Sequence, residues 1–171
     1  LMQVDCSLEI IVVDDCSDDG TVEHLAELYN DRIRLLSTET NSGRAAASNL
    51  GFKHSTGNYI ALLDDDDYWI DTCKLKKQID VMQSNPSLGV VGTWWVELKP
   101  NSVKEEKKPI PPQNRYFLIE KLLMGGGIVS GSSPVITRVA WDRVGGMDEN
   151  HVKGIDSDFY RRIALSGYDV D

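Results

Sequence analysis

Residues 59–69 read YIALLDDDDYW. A run of β-forming apolar residues drives into four aspartates, and two aromatics follow. The apolar part reads as a strand and the acids as its carboxyl end. Four carboxylates in a row repel one another, so at the end of an apolar strand they call for a neutralising partner. Residues 8–15, LEIIVVDD, repeat the pattern: a β-branched run of the kind buried on both faces of a parallel sheet, again ending in acid. Open parallel sheets bind ligands at the carboxyl ends of their strands. If both strands share one sheet, Asp14, Asp15 and several of residues 64–67 crowd a single edge. Such an all-oxygen set suits Mg2+ or Mn2+, and an ion there would bridge a diphosphate. Taken alone, the DDDD run is equally a solvated turn; the second acid pair is what argues for a site. An EF-hand loop does not fit, because its glycine and terminal glutamate are missing.

Working outward, CSDDGT (16–21) is turn chemistry, and Val22, Leu25, Ala26 and Tyr29 follow at helical spacing. RIRLLST (32–38) reads as a second strand, and GRAAASNLGFKHSTG (43–57) as a small-residue helix closed by Gly57. After the third strand, Asp71 suits an N-cap, with Leu75, Ile79 and Met82 forming the face of the next helix. LGVVGTWWVEL (88–98) reads as a fourth strand. Strands alternating with helices predict a three-layer α/β/α sandwich with a mostly parallel central sheet, its strand ends on one edge. Beyond Pro100 the rhythm breaks. Residues 101–114 are a charged, proline-rich loop and 116–127 a short helix running into three glycines. A strand and short helix follow in 132–149, then a helix in 156–167.

The chain has 171 residues, enough for one domain with a single core; 41% are hydrophobic and 26% charged. A formal charge of −9 argues against a nucleic-acid partner. No apolar run approaches the roughly 20 residues of a membrane span, and no signal peptide is visible. Cys6, Cys16 and Cys73 are odd in number and form no CxxC, so they read as free thiols in a reducing cytosol.

The ordered series EIIVVDDCSDDGT, NSGRAAASNLGFKHSTGNYIALLDDDDYW, GGMDE and DSDFYRRIALSGY resembles the family 2 glycosyltransferases, enzymes of the GT-A fold. The resemblance implies one catalytic domain over residues 1–171, with a nucleotide-binding part over about 1–98 and an acceptor side over about 99–171. It implies a nucleotide-sugar donor, UDP-sugar favoured, and inverting transfer to a hydroxyl of a glycan, lipid-linked or other acceptor. Asp14 would meet the nucleobase with Asp15 close by; Asn41, Gly43, Arg44 and Asn49 would line the nucleotide, Arg44 near the ribose or diphosphate. LDDDD matches the family's LDADD, the DXD motif. Asp64 would then face the ribose, Asp65 stand where the family has a small residue, and Asp66 ligate Mg2+ or Mn2+. Asp67 reads either as an outer contact to the ion or as a helix-start charge.

The family's catalytic base is the second residue of an "ED" pair. Here the pair is Ile155-Asp156, so Asp156 keeps the carboxylate while the glutamate is absent. Simple N-capping is the plain alternative for Asp156. Asp148 and Glu149 would lie near the acceptor. Trp94 and Trp95 point to opposite faces of a strand, one toward the core and one toward the sugar pocket. His24 and His54 read as surface groups; His151 lies between GGMDE and Asp156, where an approach to the site is the lesser reading. Two other functions remain on sequence grounds: a carbohydrate- or nucleotide-binding module without catalysis, and a nucleotidyltransferase. Both ends read as cut, since the family opens on a strand of the type SVIIPTYN and nothing like it is present. A fragment that binds donor weakly, from a cytoplasmic protein either soluble or peripheral to the membrane, is the expectation.

Overall fold

The computed structural model describes residues 3–29, 32–98, 105–107, 120–121, 129–151 and 153–171. In chain order these form β1 (Ile11–Asp14), α1 (Thr21–Tyr29), β2 (Arg34–Ser37), α2 (Arg44–His54), β3 (Tyr59–Ala61), α3 (Lys74–Ser84), β4 (Leu88–Val91), β5 (Trp95–Glu97), β6 (Glu105–Lys107), β7 (Val135–Thr137), α4 (Arg138–Val144), α5 (Ile155–Leu165) and β8 (Asp169–Val170). The charged loop of 101–114 outside β6 and the glycines 125–127 lie outside the described residues.

β1 and β2 pair in parallel, with Asp14 opposite Ser37. A four-stranded sheet runs in the order β3-β7-β4-β8. β7 is antiparallel to both β3 and β4, and β8 is parallel to β4, so three of its four strands share one direction. Neighbouring residues alternate between its faces. Val90 and Ile136 join Trp141, Phe159, Tyr160 and Ile163 in one buried cluster; Val91 and Val135 join Leu75, Met82 and Leu88 in another. Helices α4 and α5 therefore cover one face and α3 the other, which is the expected sandwich. Phe52 of α2 stacks on Trp141 with centroids 4.7 Å apart, and Trp141 meets Phe159 edge-on at 4.8 Å. These contacts seat α2 against α4 and α5. Its other side lies on β1, where a Cβ on Gly51 would sit 3.2 Å from Val13 Cγ2.

Three details depart from the sequence expectation. The fourth strand is two strands, because β4 ends before Gly92. That residue is packed under Val129 and Ser133 and donates its N–H to the Asp171 carbonyl at 2.6 Å. The chain then restarts as β5, antiparallel to β6, with Trp94 60% exposed and Trp95 half-buried. Asp71 is not the cap of α3: the helix starts at Lys74, and Asp71 instead accepts the Cys73 N–H and pairs with Lys77. Finally, no described strand links β1 to β3, so the two acid-ended strands are not neighbours in one ladder.

No disulfide joins the three cysteines. Among the described residues no helix is long and apolar enough to cross a membrane.

Candidate active site

Asp14 closes β1 and is 6% exposed; its Oδ2 accepts the Ser17 N–H at 3.1 Å. Asp15 turns the other way. Its carboxylate accepts the N–H groups of Ser42 and Gly43 at 2.9 and 2.7 Å and the Thr38 hydroxyl at 2.7 Å. These bonds, that from Ser42 foremost, hold its pKa below the usual carboxylate value. Asp15 thus fastens the turn that opens α2. At its apex Gly43 adopts φ 84°, a left-handed conformation that a side chain would strain. Asn41 beside it is exposed.

Arg44, the first residue of α2, is where two distant stretches meet. Its Nη2 lies 3.1 Å from Asp64 Oδ1, and its Nη1 donates to Asp156 Oδ2 at 2.9 Å. Burial alone would discourage the guanidinium charge, but Asp156 and Asp64 more than reverse that and raise its pKa. Asp64 does not gain equally. Burial first, then repulsion from Asp156, Asp67 and Asp66, outweighs its one cation, and its pKa is raised. The site therefore carries more negative charge than Arg44 neutralises.

Asp65 and Asp66 are exposed, with no hydrogen bond or ion pair to another described residue. Among the described residues no three His, Cys, Asp or Glu side chains converge as a ready-made metal cage. A Mg2+- or Mn2+-type ion held by one or two carboxylates and completed by phosphate and water fits this arrangement, and the excess charge at Asp64 favours it.

Asp156 lies in the first turn of α5 and does not cap it. The N-cap is Gly154, with no side-chain bond, and the Asp156 carboxylate faces Arg44 instead. Asn49 lies elsewhere. Five residues beyond Arg44 is about 140° around the helix. There the Asn49 amide spans Met147, accepting its N–H and donating to its carbonyl at 2.9 Å each, and also donates to Glu149. Asn49 and Glu149 line an open cleft of about 420 Å3 with Ser37, Thr38, Glu39 and Lys53. Asp148 accepts the Asn150 N–H within its own turn, and His151 donates its N–H to the Asp148 carbonyl.

Sequence reasoning missed the cover over the Arg44 pair. Ser132 Oγ accepts the Asp64 N–H at 2.9 Å, and Trp69 Nε1 donates to the Ser132 carbonyl at 2.8 Å. A Cβ on Gly131 would lie 2.7 Å from Arg44 Nη2 and 2.8 Å from Asp64 Oδ2. The signal available was the small-residue run SGSS (130–133) ahead of β7.

This fold, with acids and a cation gathered beyond the strand ends, is that of the GT-A glycosyltransferases. A mannosyltransferase from Pyrobaculum calidifontis, solved with GDP-Man and Mn2+, superposes at a TM-score of 0.67 with 25% identity, over 95% of this chain and 44% of that one. Staphylococcus aureus TarS (residues 1–349) superposes at 0.71 with 22% identity, over 95% and 47%. The glycosyl transferase family 2 model matches residues 2–140, and the chain belongs to that family. Escherichia coli WfgD, a UDP-Glc:alpha-D-GlcNAc-diphosphoundecaprenol beta-1,3-glucosyltransferase, is 36% identical over 75% of this chain and 48% of its own length. The putative teichuronic acid glycosyltransferase TuaG of Bacillus subtilis is 45% identical over 43% of the chain and 30% of its own. The chain spans half or less of the length of each of these proteins.

Proposed function

We propose that the protein carrying this chain transfers a sugar from a nucleoside diphosphate sugar, UDP-sugar favoured, to an acceptor hydroxyl with inversion, in polysaccharide or glycoconjugate synthesis. The observation that carries the reading is the Arg44 bridge, which ties an acid at the end of β3 to an acid on α5. WfgD uses UDP-Glc and a lipid-linked acceptor by name, and the mannosyltransferase was solved with GDP-Man and Mn2+. A lipid-linked acceptor would place the work at the cytoplasmic membrane face.

In this reading Asp14 meets the nucleobase, while Asp15 holds the turn at Ser42 and Gly43 for the nucleotide to lie against. Arg44 pairs with the diphosphate. Asp66, with Asp65 or Asp64 beside it, would hold a divalent ion, which when bound supplies positive charge to the leaving diphosphate. Asp156 Oδ2 takes the proton of the acceptor hydroxyl as its oxygen bonds to the anomeric carbon. The bond from that carbon to the diphosphate oxygen breaks, and the nucleoside diphosphate leaves with the electron pair. Since Arg44 occupies Oδ2 in the resting site, donor binding must draw it away before Asp156 can act. Donor should therefore bind before acceptor.

The test is calorimetric titration of UDP with and without Mn2+, on the wild type and Asp66→Ala. Metal-dependent binding lost in the variant is expected. Equal binding in all four conditions would sink the donor-site reading. Metal-dependent binding without turnover of any UDP-sugar would favour the binding-module alternative, for which Ile155 in place of the family's glutamate speaks.

A further inference from the structure

Four buried side-chain polar atoms make no hydrogen bond among the described residues: Arg44 Nη2 (which has only its 3.1 Å ion-pair contact with Asp64), Asp156 Oδ1, Tyr160 Oη and Arg162 Nη2. The first three belong to one neighbourhood. Tyr160 follows Asp156 by one helical turn on α5, so both side chains leave the helix on the same side. Its ring is 2% exposed and lies in the main core, tilted against Phe159 with centroids 5.8 Å apart. The hydroxyl is within electrostatic reach of Asp156, Arg44 and Asp64. Buried polar groups in native proteins are almost always paired. Here a donor at Tyr160 and an acceptor at Asp156 are both left over, beside a guanidinium with hydrogen to spare.

We propose that Tyr160 is a positioning residue for Asp156, its hydroxyl holding Oδ1 through one bridging water. A water accepts from Tyr160 and Arg44 Nη2 and donates to Asp156 Oδ1, which satisfies all three atoms and gives the water the partners a buried site requires. Burial, followed by the repulsion of Asp156, keeps the phenol protonated well above its usual range, so it remains a donor. The consequence falls on the other oxygen. Arg44 steadies Oδ2 only until the donor diphosphate draws it off. From then on the tie at Oδ1 alone fixes the carboxylate plane and keeps Oδ2 aimed at the incoming hydroxyl. A hydrophobic residue at 160 would fill the core equally well and leave the carboxylate free to swing.

The inference rests on Asp156 being the base, and the test separates the two. The first measurement is a double-mutant cycle in urea unfolding of the full chain, with Tyr160→Phe, Asp156→Asn and both. Coupling of at least about fivefold in the unfolding equilibrium constant is expected. Additivity within about twofold overturns the proposal, with or without turnover. The second is steady-state kinetics with the UDP-sugar. Tyr160→Phe should lower kcat by about tenfold or more, with UDP affinity within about twofold of wild type. Coupling with unchanged kcat overturns the positioning role. Tyr160→Phe at full rate beside inactive Asp156→Asn sinks this proposal alone, whereas Asp156→Asn at full rate sinks the base assignment beneath it.

Discussion

The wild type should become more stable as pH rises from 7 to 9.5, and Lys74→Met should abolish that rise. Lys74 opens α3 and is 6% exposed. Its ammonium donates to Gln78 Oε1 at 2.8 Å and stands 4.3 Å over the Trp69 ring, and no described carboxylate pairs with it. Burial pushes its pKa from an ordinary 10.5 down to about 8. Between those values the unfolded chain binds the proton and the folded one releases it, so stability climbs with pH across that window. The gap corresponds to about 3 kcal/mol, of which about 2 kcal/mol is recovered by pH 9.5. Methionine fills the same space without the charge. It forfeits the Gln78 bond and the ring contact, about 1 kcal/mol each at neutral pH. The ring contact belongs to the ammonium and fades as Lys74 releases its proton, so the gap between the two proteins widens in favour of the wild type less than burial alone would give. Tyr160, whose pKa is raised, works in the opposite sense only above its ordinary value of 10, so the measurement stops below it. Urea unfolding of both proteins at half-unit pH steps gives the difference, from which other titrating groups cancel. A difference constant to within about 0.5 kcal/mol from pH 7 to 9.5 would refute the account of a charged amine held in the core. The result reaches the site, because Gln78 also donates to the Val91 and Ser133 carbonyls and so fixes the turn over Arg44 and Asp64.

Asn49→Leu should lose about 2–3 kcal/mol, since it strands the buried Met147 backbone groups, while UDP affinity stays as in wild type. A large affinity loss with unchanged unfolding would instead make Asn49 a nucleotide contact. Gly131→Ala should push the Arg44 guanidinium off the position from which it reaches the diphosphate and weaken UDP binding about tenfold, with under about 1 kcal/mol of stability lost, because the atoms it meets end side chains that can swing aside. Unaltered binding would mean that the placement of Arg44 plays no part in donor binding. Asp15→Ala should lose about 1 kcal/mol at neutral pH through release of the Ser42–Gly43 turn. Because the Asp15 pKa is lowered, the wild type holds that advantage above the ordinary carboxylate range and loses it as pH falls through the folded value. A gap between the two proteins that persists unchanged into acid would count against this.

The parts of the fold that could be read from sequence were those whose information is local. The run IIVV next to DD announces a buried strand with an acid end, because hydrophobic pattern and charge sit side by side in the chain. Strand order is different. β7 enters between β3 and β4 with three residues, and nothing in VIT names its neighbours or its direction. The face of α2 was also closed to sequence reasoning. Its residues RAAASN carry no apolar stripe, so only packing on Val13 and Trp141 decides that Arg44 turns to the acids and Asn49 to Met147. Asp15 also accepts the N–H groups of the 42–43 turn, a long-range use that a strand-end acid does not advertise.

The same reasoning explains why Asp64 and Asp156 were legible singly and not as a pair. Each stands in a motif, but what makes them one site is the guanidinium between them, and charge partners across a fold leave no trace in spacing. Arg44 can satisfy both acids only while no third anion competes. A diphosphate brings two anionic groups to a site with one described cation in contact with its acids, so the resting bridge and the loaded site cannot coexist. If Asp156 is the base proposed above, the bridge makes it available only after the donor has arrived. An acceptor bound first would meet a base whose Oδ2 is already occupied, which makes ordered binding, donor then acceptor, a consequence of the charge count. Competition kinetics decides it. A dead-end acceptor analogue should be uncompetitive against donor, and a noncompetitive or competitive pattern would show that acceptor binds before donor and that the Arg44 bridge imposes no order.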